Sequence, residues 1–188
     1  SALLALAGID GSTPDPEGGK IGRVENSNEP DGYLEEAGMM NVQAVMMKKV
    51  KVSVREIIKG MQKIYIENGV TTVQDGATSS MAMKLLTLSN TLGALKVDVV
   101  AYPLINSDGA ELMKKNQDMV KKYKKHLKIG GYKIVLDGSP QGRSAWMTEP
   151  YLGGEEGYCG YPWLKDEEVD RFALQAVNEN QQFLAHCN

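Results

Sequence analysis

Histidine and cysteine are scarce in this chain: its 188 residues hold two of each. Cys159 and Cys187 stand in unrelated contexts, which excludes a disulfide framework and a thiolate zinc site and fits a reducing, cytoplasmic setting. With only His126 and His186, a catalytic metal centre of several imidazoles cannot be assembled from this chain alone. Long apolar runs are missing as well. No window approaches the ~20 apolar residues of a membrane span, and the N-terminal SALLALAGI has neither the basic region nor the length of a secretory leader. A net charge of -3 gives no reason to expect nucleic acid. What remains, 42% hydrophobic and 24% charged residues, describes a soluble globular chain long enough for one domain with a single core.

Residues 1–40 read as an inserted segment. A short apolar helix from Ala2 to Ala7 is stopped by Gly8, and GSTPDPEGGKIGRVENSNEPDGYLEE then predicts turns and irregular backbone through its Gly, Pro, Asn and Asp. A loop of that length is uncommon in a compact domain unless it lids a site or belongs to an insertion. From 41 to 188 the pattern changes. Ser53 and Glu56 form a capping box that opens a helix with Val54, Ile57, Ile58, Met61 and Ile64 on one face, closed by Gly69. VTTVQDG reads as a buried strand, Ser79 to Leu92 as a helix and VDVVAYPL as a strand. Ala110 to Leu127 then reads as a helix, YKIVLDG as a strand, Asp166 to Glu179 as a helix and QFLAHC as a strand. Four apolar strands alternating with helices predict an α/β fold with a parallel sheet built from βα units. The helix at Ser53 precedes the first visible strand, where a regular series would place an earlier one.

In parallel α/β folds, function gathers where strands end and βα loops begin. Those ends hold Gln74 and Asp75, Tyr102, Lys133, Asp137 and His186. An amine such as Lys133 directed into a sheet interior is costly to bury charged, so it is neutralised, paired or modified; its other reading is a lysine whose head snorkels to water. His186 reads either as a hydrogen-bonded core histidine, the commoner case, or as a metal ligand. The loop GSPQGRSAWMTEPY shapes a pocket and offers Arg143 as an anion or carbonyl contact. Ser139 within it lacks the G-x-S-x-G elbow of a nucleophile, and GSPQGR lacks the Gly-Lys-Ser/Thr end of a P-loop. The basic KKYKKHLK could be offered as a phosphate or nucleic-acid patch. It reads better as the solvated face of a helix with Met113, Val120, Tyr123 and Leu127 turned inward, and His126 inside it is given no chemistry.

The strings LAGIDGSTPDPEGGKIGR, DGYLEEA, NGVTTVQDG, YKIVLDGSPQGRSAWMTEPY and LAHCN, in this order across nearly the whole chain, resemble the YtcJ-like branch of the amidohydrolase superfamily, amidohydrolase family 3. The resemblance implies a metal-dependent hydrolase on a distorted (β/α)8 barrel, of which this chain would cover roughly strands two to five. It implies that His186 is a metal ligand at the end of the fifth barrel strand and that Lys133 is the lysine carboxylated to bridge two ions. It places a His-x-His pair upstream of Ser1, and a further histidine and the catalytic aspartate downstream of Asn188. Glu36, matching the glutamate of the G-x-L-x-E string, would line the mouth of the site, with Asp75, Asp137 and Arg143 facing substrate.

The chemistry implied is hydrolysis of amide or N-formyl and N-acyl amine C–N bonds with one or two divalent ions, zinc first among them. A partial barrel would lack the complete metal site, hold no ion by itself and show no turnover. Unpaired sheet edges would favour self-association, with a small-molecule substrate as the parent's other partner and neither nucleic acid nor membrane. A non-catalytic α/β module whose glycine-rich loops hold a ligand or protein is the rival reading.

Overall fold

A computed structural model describes the chain except residues 1, 17, 18, 37, 40, 41, 44, 47–52 and 154, and leaves out the side chains of Glu36 and Val54. The chain divides into two compact units, Ser1–Ser53 and Val54–Asn188.

In the first unit helix α1 (Ala2–Leu6) buries Leu4, and strands β1 (Gly19–Arg23) and β2 (Pro30–Glu36) form an antiparallel hairpin in which Ile21 lies opposite Leu34. The expectation of irregular backbone is corrected here. Ile21 is buried, and the Arg23 guanidinium, 2.6 Å from the Thr13 carbonyl and 2.5 Å from that of Asn28, ties the turn-rich flanks to the hairpin. Such bonds depend on residues distant in sequence, so local composition does not reveal them.

The second unit alternates helix and strand. Helix α2 (Val54–Glu67) is followed by Gly69 at positive φ, the conformation expected of a helix-closing glycine. Next come β3 (Thr72–Thr78), α3 (Ser80–Thr91) with the Ser79 hydroxyl accepting from the Ala82 amide at 3.3 Å, and β4 (Asp98–Pro103). A short α4 (Gly109–Lys115), β5 (Leu127–Ile129) and β6 (Gly131–Val135) precede α5 (Asp166–Asn178) and β7 (Gln182–His186). Three acidic residues in the first turn of α5 suit the positive end of its dipole.

Strands β3, β4 and β5 pair in parallel, as do β6 and β7. Leu104 bridges Lys133, and the Ile105 amide donates to the Lys133 carbonyl at 2.9 Å, so β5 and β6 together form one interrupted line beside β4. The four apolar runs read from sequence are thus a parallel series. Alternation divides their side chains between two faces. Val99, Ala101, Leu127, Ile129, Tyr132 and Ile134 are buried with Ile58, Met83, Leu112, Met113 and Ala176 from the helices. The face shared by Leu127 and Ile129 passes to Tyr132 and Ile134, a phase slip of one residue at Gly130–Gly131. Only glycine fits there: a Cβ on Gly130 would lie 2.5 Å from the Tyr102 ring, and one on Gly131 would lie 2.2 Å from the Gln182 carbonyl oxygen.

The helix expected over Ala110–Leu127 is also corrected: it ends at Lys115, and a 3₁₀ turn covers Gln117–Met119. The Asn116 side chain donates to the Leu112 carbonyl at 2.8 Å, competing with helix continuation, while Lys121 and Lys125 take positive φ. Like charges at helical spacing in this stretch would repel, which further disfavours a helix. His126 lies in this stretch 2.8 Å from Asp98 at the N-terminal end of β4, a strand-entry clamp. Among the described residues no helix is long and apolar enough to cross a membrane.

Candidate functional site

The pairing of β6 with β7 decides which candidate residues meet. Lys133 lies opposite Leu184 and Val135 opposite His186, so Lys133 and His186 fall on one face of the pair, one same-face step apart. This is the face turned away from the helices, because the alternate residues Tyr132 and Ile134 are fully buried in the helix-backed core. Tyr102 belongs to the same open face and donates from its hydroxyl to Gln182 Oε1 at 2.8 Å, joining β4 to β7.

Asp137, two residues beyond Val135, is only 3% exposed. Its carboxylate accepts the Trp146 amide at 3.0 Å and the Asn188 amide at 3.2 and 3.3 Å. It therefore holds the loop after β6 against the residues after β7. The Asn188 side-chain amide donates to the Gly138 carbonyl at 2.7 Å and reaches Asp137 Oδ1 at 3.4 Å. His186 Nε2 lies 3.0 Å from the same Gly138 carbonyl and 2.9 Å from Asn188 Nδ2. With both amide hydrogens of Asn188 committed to oxygens, the consistent assignment puts a hydrogen on Nε2, donated to Gly138, and leaves the lone pair on Nδ1. A histidine that ligates a cation through one nitrogen while its other N–H is fixed by a backbone carbonyl has this arrangement.

Lys133 is half-buried, with Leu104, Val135 and Leu184 as neighbours in register; among the described residues none of the ion pairs includes it. Among the described residues, too, no three His, Cys, Asp or Glu side chains converge to hold a metal ion. The chain thus offers one imidazole and one amine on a common face. The donor set suits a divalent ion as part of a larger cage, the amine only once it has been converted to an anion.

The other expected residues lie elsewhere. Asp75 shares its register face with Val73, Val99 and Ala101, the helix-backed side of β3, and so does not join Lys133 and His186. Arg143 adopts a left-handed conformation, and its guanidinium donates to the Gly153 carbonyl at 3.0 Å, bracing the loop. Glu36 ends β2 in the first unit, paired with Gly19, and its side chain lies outside the described residues. Sequence reasoning did not single out Asn188 or Trp146. Asn188 carried a usable signal, since a residue two places after His186 returns to the same side of an extended chain.

The described part of the loop between Ser139 and Lys165 is braced at several points. Ser144 N–H donates to the Ser139 carbonyl, the Tyr151 hydroxyl to the Ala145 carbonyl at 2.8 Å, and Met147 N–H to the Cys159 carbonyl at 2.8 Å. A Cβ on Gly160 would come within 2.0 Å of the Ala145 carbonyl oxygen, so the loop closes on itself at that glycine. Burial, followed by the charges of Tyr158 and Asp137, raises the Tyr151 phenol above its ordinary value and keeps it a hydrogen-bond donor.

Known proteins share this arrangement of sequence. An exoenzymes regulatory protein, AepA, of Pectobacterium carotovorum subsp. carotovorum is 30% identical over 192 residues, covering 100% of this chain and 41% of that protein. YtcJ of Bacillus subtilis strain 168 is 24% identical over 199 residues, covering 100% of this chain and 35% of its own length. The chain therefore spans well under half the length of these relatives. Among solved structures, an uncharacterized metal-dependent hydrolase from Pyrococcus furiosus superposes with a TM-score of 0.66 at 21% identity, covering 100% of this chain and 37% of that one, a likeness of fold. The sequence profile of the amidohydrolase family matches residues 1–188, the whole length, and on that match the chain belongs to the amidohydrolase family.

Proposed function

We propose that this chain forms part of a (β/α)8 barrel and contributes one side of a divalent-metal site to a hydrolase that cleaves C–N bonds of N-formyl or N-acyl amines. The observation that carries this reading is the placement of Lys133 and His186 on one face of the β6–β7 pair, with the imidazole oriented by the Gly138 carbonyl. Family membership supports the reaction class, and the parallel helix–strand series supports the barrel.

A bound divalent ion, zinc being well suited to nitrogen and oxygen donors, would lower the pKa of water and polarise the scissile carbonyl. His186 would present Nδ1 to it, held in orientation by the bond from Nε2–H to Gly138. Lys133, among aliphatic neighbours, would be carboxylated, as the resemblance implies, turning an amine into a two-oxygen anion. Asp137 keeps the loop and the strand end in register, because its oxygens are taken up by backbone amides. Arg143 supplies loop rigidity and, from its exposed guanidinium, a contact for an anionic or carbonyl group on the substrate.

The experiment is ¹³C NMR of the full-length protein of which this chain forms part, loaded with Zn²⁺ in ¹³C-bicarbonate. A carbamate carbonyl resonance is expected with metal and is expected to vanish in Lys133→Ala, in His186→Ala and without metal. A carbamate that persists in the metal-free protein, or never forms with metal, would remove the basis for the bridging role.

A further inference from the structure

Two recesses on the second unit carry opposite charge. The first, of about 1000 Å³, lies where α2 faces the C-terminal end of α3 and the turn after it. Arg55, Lys59, Lys63 and Lys96 line it. The first three follow one another at every fourth residue and so stand in one row along α2. Among the described residues the one carboxylate on this lining, Glu67, is held by Lys63 at 3.5 Å, and none of the ion pairs includes Arg55, Lys59 or Lys96. Between these cations the wall is apolar and wet: Ile66 is 51%, Leu88 56% and Leu92 73% exposed.

The second recess, of about 590 Å³, runs along α5. Glu167, Asp170 and Leu174 border it, and Val177 continues their 3-4-3 spacing, so the four residues share one face of the helix. Leu174 is 61% and Val177 71% exposed, and among the described residues no ion pair includes Glu167 or Asp170. The one guanidinium on this lining, Arg171, turns to Glu168 and to the Phe172 ring. This face of α5 therefore presents carboxylates and aliphatic knobs on one stripe, the chemistry that the α2–α3 recess leaves unmatched. Both helices are about 20 Å long, so the two surfaces match in extent.

Within one copy the two surfaces stand apart. The strands run in the order β3, β4, β5–β6, β7. Helix α2 packs at the β3 end, where Ile58 and Met61 share a recess with Val73, whereas α5 packs on β7 at the other end. We infer that the α2–α3 recess is an interaction surface for a second copy of this protein, which seats in it the α5 face carrying Glu167, Asp170, Leu174 and Val177. Apolar contact at the centre with charge at the rim is the usual anatomy of such a surface, and opposite charge favours this pairing over the meeting of like faces. Two different patches meet, so the contact propagates into a ring or a chain of copies unless two copies exchange α5 reciprocally. Lys133 and His186 lie on the helix-free face, so the association is independent of the metal site.

The test is sedimentation velocity of the full-length protein of which this chain forms part. Self-association is expected at low salt and should weaken at least tenfold in about 1 M NaCl, where charges are screened beyond ~3 Å. Arg55→Glu with Lys59→Glu, and separately Glu167→Lys with Asp170→Lys, should each give a monomer. All four side chains are exposed, so both variants should keep the parent's circular-dichroism spectrum and Zn²⁺ affinity. Each reversed protein carries one sign of charge on both surfaces, whereas a mixture of the two makes both contacts complementary again and should restore association. A parent that stays monomeric at every concentration, association that survives either reversal, or a mixture of the reversed proteins that remains monomeric overturns the inference.

Discussion

Asp137 shows how a single side chain at the end of a strand fixes the site. Buried and polar, it is retained only because backbone N–H groups from two separate segments converge on it. Asp137→Ala would leave those donors without their acceptor and is expected to cost about 2 kcal/mol, lowering the melting temperature by about 4–8 °C in a circular-dichroism melt. Asp137→Asn, which keeps one acceptor oxygen, should lose about half as much. Tyr132 carries a pH dependence. Fully buried, its phenol is pushed well above the ordinary value of 10.0, first by burial and then by its 2.5 Å hydrogen bond to the Glu179 carboxylate. The unfolded chain releases this proton near pH 10, and the folded chain holds it. The stabilisation is therefore complete below pH 10 and is lost as pH rises from there toward the folded value. Tyr132→Phe should cost about 1 kcal/mol at pH 7 and flatten the decline in stability above pH 10, measured by urea unfolding at a series of pH values.

Among the elements, the β6–β7 pair is the one on which the site depends. Gly131 faces the Gln182 carbonyl so closely that Gly131→Ala must push the strands apart. The expected loss is about 3 kcal/mol, with a matching loss of amide protection across Lys133–Val135 in hydrogen exchange; a variant as stable as the parent would show that the pair is not so tightly closed. How far each element could be read from sequence follows from the range of the forces that set it. Helices α2, α3 and α5 were legible because their signals are local: the Ser53 and Ser79 positions, the acidic first turn before Val169, and Gly69 at the close. The four apolar strands were legible by their length and spacing. The β1–β2 hairpin was not, because the bonds that stabilise it join the strands to residues outside them: Ile21 N–H to Asp15, and the Arg23 guanidinium to the Thr13 carbonyl. Nor was the end of α4, where Asn116 and left-handed lysines override an apolar periodicity that continues to Leu127. In the site, the strand-end rule brought Lys133, Asp137 and His186 to one place. It could not separate Asp75 from them, because the face a residue takes depends on register with a neighbouring strand.

At the scale of the molecule, the strands of the second unit form a parallel series in which, among the described residues, β3 pairs only with β4 and β7 only with β6. Each outer strand offers unpaired backbone groups, a template for another strand. This chain by itself is accordingly expected to self-associate, giving a light-scattering mass above that of one copy that rises with concentration; a monodisperse monomer at high concentration would contradict this. The same series lines up the residues on which the functional account turns, His186 and Lys133, on its helix-free face. A Co²⁺ titration of the full-length protein of which this chain forms part, and of its Lys133→Ala, His186→Ala and double variants, in bicarbonate buffer and followed by visible absorption, tests that account most directly. If both side chains serve one ion, each single change should weaken binding at least tenfold and the double change should add little more. Binding by Lys133→Ala as tight as the parent's, or losses that multiply as for two independent sites, would contradict it.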